Sequence, residues 1–244
     1  MFLLSYIRGD FVYCPVLLVL FISSGGFSID FAYGWGYNKS VLCRKNLAEF
    51  GKIQKKGEVF MVYHMTVAGL ERDLPICKVS DDLYIGAFVI FGDPELTVAA
   101  AKELLKKAPD YDYLITAEAK GIPLIHEMAR QNGDKKYILA RKSPKLYMSG
   151  VFESTVHSIT TAKEQRLYLD TADAELMRGK RILIVDDVIS TGESLTALET
   201  LVEKAGGNIV GRMAILAEGD AQDRGDITYL EKLPLFHPDG TIKE

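Results

Sequence analysis

The chain has few cysteines, and their usage fits a reducing compartment. Its 244 residues include three cysteines, Cys14, Cys43 and Cys77, whose spacing forms neither a metal-binding set nor an even disulfide set. A cytoplasmic setting fits that usage. Charge is close to balanced, with 29 basic against 33 acidic side chains, and no long basic stripe occurs, which argues against nucleic acid as the partner. Long apolar runs are missing too. Phe11 to Ile22 is interrupted by Pro15 and is shorter than the ~20 apolar residues that span a bilayer, so a membrane partner is not expected. There is no internal repeat or low-complexity tract. Three catalytic signatures are absent: the Gly-x-x-x-x-Gly-Lys-Ser/Thr phosphate loop, the Gly-x-Ser-x-Gly nucleophile turn, and the zinc-protease helix. His126-Glu127-Met128-Ala129-Arg130 lacks the second histidine of the last. The length suffices for one full α/β domain with an appendage.

Composition changes near residue 60. Residues 1–60 hold 12 of the 24 aromatics, including Trp35, with 7 basic against 4 acidic side chains; the remainder has 22 against 29. Lys55-Lys56-Gly57-Glu58 can be encoded by a purine-rich string of the kind that precedes a bacterial start codon, a few codons before Met61. Residues 1–60 are therefore an N-terminal extension with three readings: an upstream artefact with synthesis starting at Met61 or Met65, a signal peptide or weak anchor, or a tail. Residues 61–244 form the functional domain.

What is present is concentrated in Ile182-Leu183-Ile184-Val185-Asp186-Asp187-Val188-Ile189-Ser190-Thr191-Gly192-Glu193-Ser194. The apolar, β-branched run predicts a buried strand. Leu195, Leu198 and Leu201 recur at helical spacing, so the intervening turn feeds a helix. Ligands bind in α/β sheets at such strand-to-helix turns. Backbone N–H groups of Thr191 to Ser194 at a helix start suit a phosphate, and Asp186 and Asp187 can accept from a sugar diol. Together they describe a ribose 5-phosphate site; the plainer alternative is a surface turn with solvated acids.

This stretch resembles the signature of type I phosphoribosyltransferases, which bind 5-phosphoribosyl 1-pyrophosphate. The resemblance covers about residues 65–225. It implies a doubly wound α/β fold with a mainly parallel sheet and a small hood formed by residues 65–92 and the C-terminal segment. It also implies a homodimer and magnesium bound with the substrate at Asp186 and Asp187. Ser190, Thr191, Gly192, Glu193 and Ser194 are then the 5′-phosphate loop.

Two further segments carry cations to strand ends. Tyr113 to Thr116 predicts a strand, and Ala119, Lys120 and Gly121 the turn into a helix from Leu124. The family's corresponding turn binds pyrophosphate, although a solvated lysine is the alternative. Tyr137 to Ala140 predicts the next strand, delivering Arg141-Lys142-Ser143-Pro144-Lys145. Adenine phosphoribosyltransferases show Arg-Lys-x-x-Lys here, which implies leaving-group contacts for Arg141, Lys142 and Lys145.

Residues 146–166 show weak periodicity and predict a long lid loop. Val156-His157-Ser158-Ile159-Thr160 looks like the loop of xanthine phosphoribosyltransferases. The adenine enzymes place Glu-Tyr in this loop, and the nearest match is Lys163-Glu164, making Glu164 the catalytic candidate beside Asp186 and Asp187, with His157 as the alternative.

Arg72-Asp73-Leu74-Pro75 and Gly92-Asp93-Pro94-Glu95-Leu96 match the adenine family's entry and hood segments. The second has its own logic, with Asp93 as N-cap and Pro94 at the first helical position. Tyr84 falls where that family stacks an aromatic on the purine; a core position is the alternative. Ile85 replaces the family's adjacent cation. The expected reaction joins a purine base to phosphoribosyl pyrophosphate, giving a nucleoside 5′-monophosphate and pyrophosphate, with adenine as the expected base in purine salvage. The alternatives are a xanthine or guanine enzyme and a non-catalytic phosphoribosyl pyrophosphate sensor.

Overall fold

The computed structural model describes residues 16–23, 26–33, 61–157 and 164–243, with backbone alone for 16–23, 26–33, 156–157 and 164–165. It divides into two units, Met1–Val59 and Phe60–Glu244. In the first, β1 (Val16–Ser23) and β2 (Gly26–Tyr33) pair antiparallel. The other expectations for residues 1–60 lie outside the described residues. No helix among the described residues is long and apolar enough to cross a membrane.

The second unit begins with a β-hairpin. β3 (Val62–Val67) and β4 (Leu70–Lys78) pair antiparallel through Ala68-Gly69. Both turn residues have positive φ, 51° and 81°, the backbone sense that matches strand twist in a two-residue hairpin. β5 (Tyr84–Gly86) adds to β4. The C-terminal strands β13 (Leu235–Phe236) and β14 (Ile242–Lys243) complete this antiparallel sheet, in the order β14-β13-β5-β4-β3.

The central sheet is parallel, in the order β12-β11-β10-β6-β7. Its strands are β6 (Tyr113–Ala117), β7 (Ile138–Ala140), β10 (Arg181–Ile189), β11 (Asn208–Glu218) and β12 (Thr228–Leu233). The helices are α1 (Pro94–Lys107), α2 (Gly121–Asn132), α3 (Thr171–Met177) and α4 (Glu193–Lys204). Alternate residues of β10 serve opposite faces. Ile182 and Ile184 pack with Leu195, Leu198 and Leu201 of α4; Leu183 and Val185 pack with Leu96 and Leu104 of α1 and Leu124 and Met128 of α2. Both faces are covered, as a parallel sheet requires. This is the doubly wound fold expected from the sequence.

The chain runs from β6 outward to β7, then returns to lay β10 on the other side of β6 and continues outward to β11 and β12. The direction of winding reverses between β6 and β10. Helices therefore leave opposite faces there, opening a crevice at the strands' carboxyl ends.

Two sequence expectations are corrected. The strand foreseen over Ile182–Val185 extends to Ile189, because the ladder to β11 continues through Asp186 opposite Ala214 and Ile189 opposite Ala217. The loop foreseen over residues 146–166 instead contains β8 (Val151–His157) and the start of β9 (Glu164–Asp170), which pair as an antiparallel ribbon. Leu167 and Leu169 are buried against the α4 side of the core, and Lys204 of α4 donates to the Glu153 carbonyl at 2.8 Å. Burial of one face makes ribbon rather than loop the stable state. Ser158 to Lys163, including most of the xanthine-like loop match and Lys163, lie outside the described residues.

Candidate active site

The site sits at the reversal point. β10 carries Asp186 and Asp187 to its carboxyl end, where the turn Ser190-Thr191-Gly192 leads into α4. Gly192 has φ +79° and offers no side chain to cap the helix. The N-cap position thus contributes no side-chain acceptor to the start of α4, an arrangement that suits an anion there. Gly192 is also close-packed: a Cβ built on it would lie 3.1 Å from Nη1 of Arg224. Arg224 is held by Asp226 through two bonds of 3.0 and 2.7 Å.

Opposite stands the turn after β6. Lys120 precedes α2 with no side-chain cap, and Gly121 fits tightly. A Cβ there would fall 2.2 Å from Oγ1 of Thr116 and 3.1 Å from Oδ1 of Asp186. Only glycine lets α2 start this close to the β10 acids. Lys120 Nζ reaches Asp187 Oδ2 at 2.8 Å. Asp187 is 2 % exposed, and its Oδ2 has no aligned hydrogen bond, so the contact is ionic rather than directional. The Asp187 N–H donates to Asp186 Oδ1 at 2.9 Å.

Burial, then the Asp187 charge, pushes the Asp186 carboxyl up to about 7. Asp186 is reachable from the cleft yet surrounded by protein, so it pays the desolvation cost of a charge without bulk water around it. Glu218, at the end of β11, is likewise raised by burial, with Lys120 opposing.

Lys120, Asp186 and Asp187 share a cleft of about 940 Å³ with Ala119, Lys142, Glu193 and Ser194, together with Glu118, Arg166 and Tyr168; the sequence singled out all of these but the last three. Gly121, Ser190, Thr191 and Gly192 adjoin them in the two turns. Arg141 and Lys145 do not line the cleft; they lie on Glu118, with Arg141 Nε 3.3 Å and Lys145 Nζ 3.8 Å from its carboxylate. Tyr84 is half-buried in β5, paired with Lys78 and Phe236 in the hood sheet, outside this cleft. Glu164 is described by its backbone, which pairs with His157 at the far end of the ribbon; its side chain and that of His157 lie outside what is described.

Sequence reasoning assigned no role to Glu118, Arg166, Tyr168 or Arg224. For Glu118 a signal existed: one acid beside a turn, and three cations in Arg141–Lys145 that need an anion.

The acids suit a hard divalent cation. Two adjacent carboxylates, one raised by burial and then by its neighbour's charge and one with an oxygen lacking an aligned hydrogen bond, would both be relieved by such an ion.

A sequence profile of the phosphoribosyl transferase domain matches residues 93–233. A hypoxanthine/guanine phosphoribosyltransferase of Methanococcus voltae is 32 % identical over 135 residues, covering 55 % of this chain and 68 % of that protein. One from Methanococcus maripaludis is 30 % identical over 172 residues, covering 70 % and 78 %. The solved adenine phosphoribosyltransferase of Thermoanaerobacter pseudethanolicus superposes with TM-score 0.50 at 19 % identity, covering 77 % of this chain and 99 % of that one; at that identity the likeness concerns the fold. The chain belongs to the phosphoribosyl transferase domain family.

Proposed function

We propose that the chain is a purine phosphoribosyltransferase that transfers the phosphoribosyl group of phosphoribosyl pyrophosphate to a purine base. One observation carries this: Asp186 and Asp187 at the end of β10 face Lys120 across the winding reversal, beside the uncapped start of α4. In this reading the N–H groups of Thr191 to Ser194 take the 5′-phosphate, and Ser190 and Gly192 shape their turn. The ribose hydroxyls lie on Asp186 and Asp187. Ala119, Lys120 and Gly121 take the pyrophosphate, with Arg141, Lys142 and Lys145 supplying charge.

Asp186 and Asp187 would hold a magnesium ion bound with the substrate, and that ion would supply positive charge at the leaving-group end of the site. Lys120 leaves Asp187 for the pyrophosphate, so the cation moves from protein acid to substrate anion as the site fills. The β8–β9 ribbon shields the reacting centre from water, with Glu164 as the candidate to handle the base's proton. Glu218, its carboxyl raised above the usual range by burial, is a second carboxyl near the same strand ends.

Adenine is the first candidate base, on the resemblance of the hood segments Arg72–Pro75 and Gly92–Leu96; Tyr84, outside the cleft, adds no support to it. The 30–32 % identity to hypoxanthine/guanine enzymes favours a second reading, a 6-oxopurine. We place the enzyme in the cytoplasm, where a phosphorylated substrate is available, as a homodimer. The test is nucleotide formation from phosphoribosyl pyrophosphate and magnesium with adenine, hypoxanthine, guanine and xanthine in parallel. Turnover of one base is expected and names the substrate. Binding of phosphoribosyl pyrophosphate with turnover of none overturns the enzyme in favour of a sensor.

A further inference from the structure

We infer that Glu118 is a positioning residue for the leaving-group end of the site: its carboxylate holds the Arg141–Lys145 segment in register with the Ala119–Gly121 turn. This rests on assigning that end of the cleft to pyrophosphate. A carboxylate lining an anion site repels the anion, so its presence there calls for a countervailing role. The contacts supply one. Glu118 Oε1 accepts the Lys142 backbone N–H at 2.6 Å, and Arg141 Nε and Lys145 Nζ approach at 3.3 and 3.8 Å. The Glu118 N–H donates to the Ala140 carbonyl at 2.9 Å. Backbone and side chain of one residue thus clamp the end of β6 to the end of β7 and the segment beyond it.

Charge-assisted hydrogen bonds to backbone are strong and directional, whereas the two ion pairs are longer. The Lys142 N–H bond is therefore the positioning contact. The negative charge also offsets repulsion among three cationic residues packed into five positions. Position is passed onward: Arg141 exchanges two backbone hydrogen bonds of 2.8 Å with Tyr168 of the ribbon. One acid thereby links the pyrophosphate turn, the cation segment and the strand that covers the cleft.

The test uses the full chain with Glu118→Ala and Glu118→Gln, titrated calorimetrically with magnesium pyrophosphate and, separately, with ribose 5-phosphate. Glu118→Ala is expected to weaken pyrophosphate at least tenfold and to leave ribose 5-phosphate within twofold. Glu118→Gln, whose amide oxygen still accepts from Lys142, is expected to stay within threefold of wild type on both. Pyrophosphate affinity unchanged or tighter in Glu118→Ala overturns the role. So does parallel weakening of both ligands, the mark of a general structural defect, or a Glu118→Gln that fails alongside Glu118→Ala. Should Glu118→Ala not fold, Glu118→Asp withdraws the carboxylate by one methylene, with the same split expected and the same results counting against it. A wild type that binds neither ligand overturns the function itself, and this role with it, a pattern distinct from any variant difference.

Discussion

Lys120 and Asp187 face each other across the cleft at 2.8 Å, a half-exposed ammonium against a buried acid. Neither group is well served by the other alone, since the ammonium is half exposed to solvent and the acid's Oδ2 has no aligned hydrogen bond. The pair is a resting arrangement that a polyanion with its cation can exchange. Replacing Lys120 with Ala strands Asp187 as an uncompensated buried charge. Because the lysine is half exposed, the stability cost should be about 1–2 kcal/mol, below the range for fully buried pairs. The cost in kcat/KM for phosphoribosyl pyrophosphate should be larger, about a hundredfold. Urea unfolding and steady-state kinetics separate the two; equal losses in both would contradict a role at the substrate.

Asp186 predicts a pH signature of defined sign. Its carboxyl ionises near 3.8 in an unfolded chain and near 7 in the fold. Between those values the folded state binds more protons than the unfolded one, so this group's contribution to stability falls as pH rises, and the loss is complete above about 7. Groups such as Glu127, held near 2 by Arg130, act oppositely, adding stability above 4.5 that is lost as pH falls. The difference between wild type and Asp186→Asn isolates the first effect. Asp186→Asn should gain melting temperature relative to wild type as pH goes from 5 to 8, while losing turnover. A constant difference across that range would show that Asp186 is ionised throughout.

How much of this was legible in the sequence varies by element. β10 and its turn were, because four buried apolar residues followed by acids, hydroxyls and a glycine state their environment locally. The start of α1 was as well: Asp93 accepts the Leu96 N–H at 3.0 Å, as an N-cap before Pro94 should. The β8–β9 ribbon was not. Its buried face shows in sequence as little more than Phe152 and Ser154 opposite Leu169 and Leu167, and its stability comes from packing against α4, far away in the chain. β13 and β14, two residues each, exist because β5 is there for β13 to pair with and β13 for β14. Glu118 acquires its role from an N–H 24 residues onward, which no local pattern encodes.

Arg72 gives the hood a measurable tether. Its guanidinium spans from β4 to the start of α1, bonding Asp93 at 2.6 and 3.1 Å and Glu95 at 2.9 Å, and holds the Asp93 carboxyl below the usual range. Asp93 is at once cap and counterion. Asp93→Ala should therefore cost about 2 kcal/mol and Arg72→Ala about 1. The double variant should cost less than the sum by about 1 kcal/mol. Additive losses in a chemical-denaturation cycle would show the pair to be uncoupled.

Gly121 offers the sharpest steric test, because its obstacle is a single removable atom. A methyl at this position meets Thr116 Oγ1 at 2.2 Å, closer than any real contact, and Asp186 Oδ1 at 3.1 Å. Thr116 is fully buried in β6 and cannot swing away, so Gly121→Ala must push α2 off the strand ends. Overpacking of this kind costs about 1–3 kcal/mol, and it should also move Lys120 away from Asp187, raising KM for phosphoribosyl pyrophosphate. Adding Thr116→Ala deletes the worst contact. The double variant should regain most of the lost stability, but the Asp186 contact remains and KM should recover in part. If Thr116→Ala restores neither quantity, the close approach of α2 to β6 is not what demands glycine here.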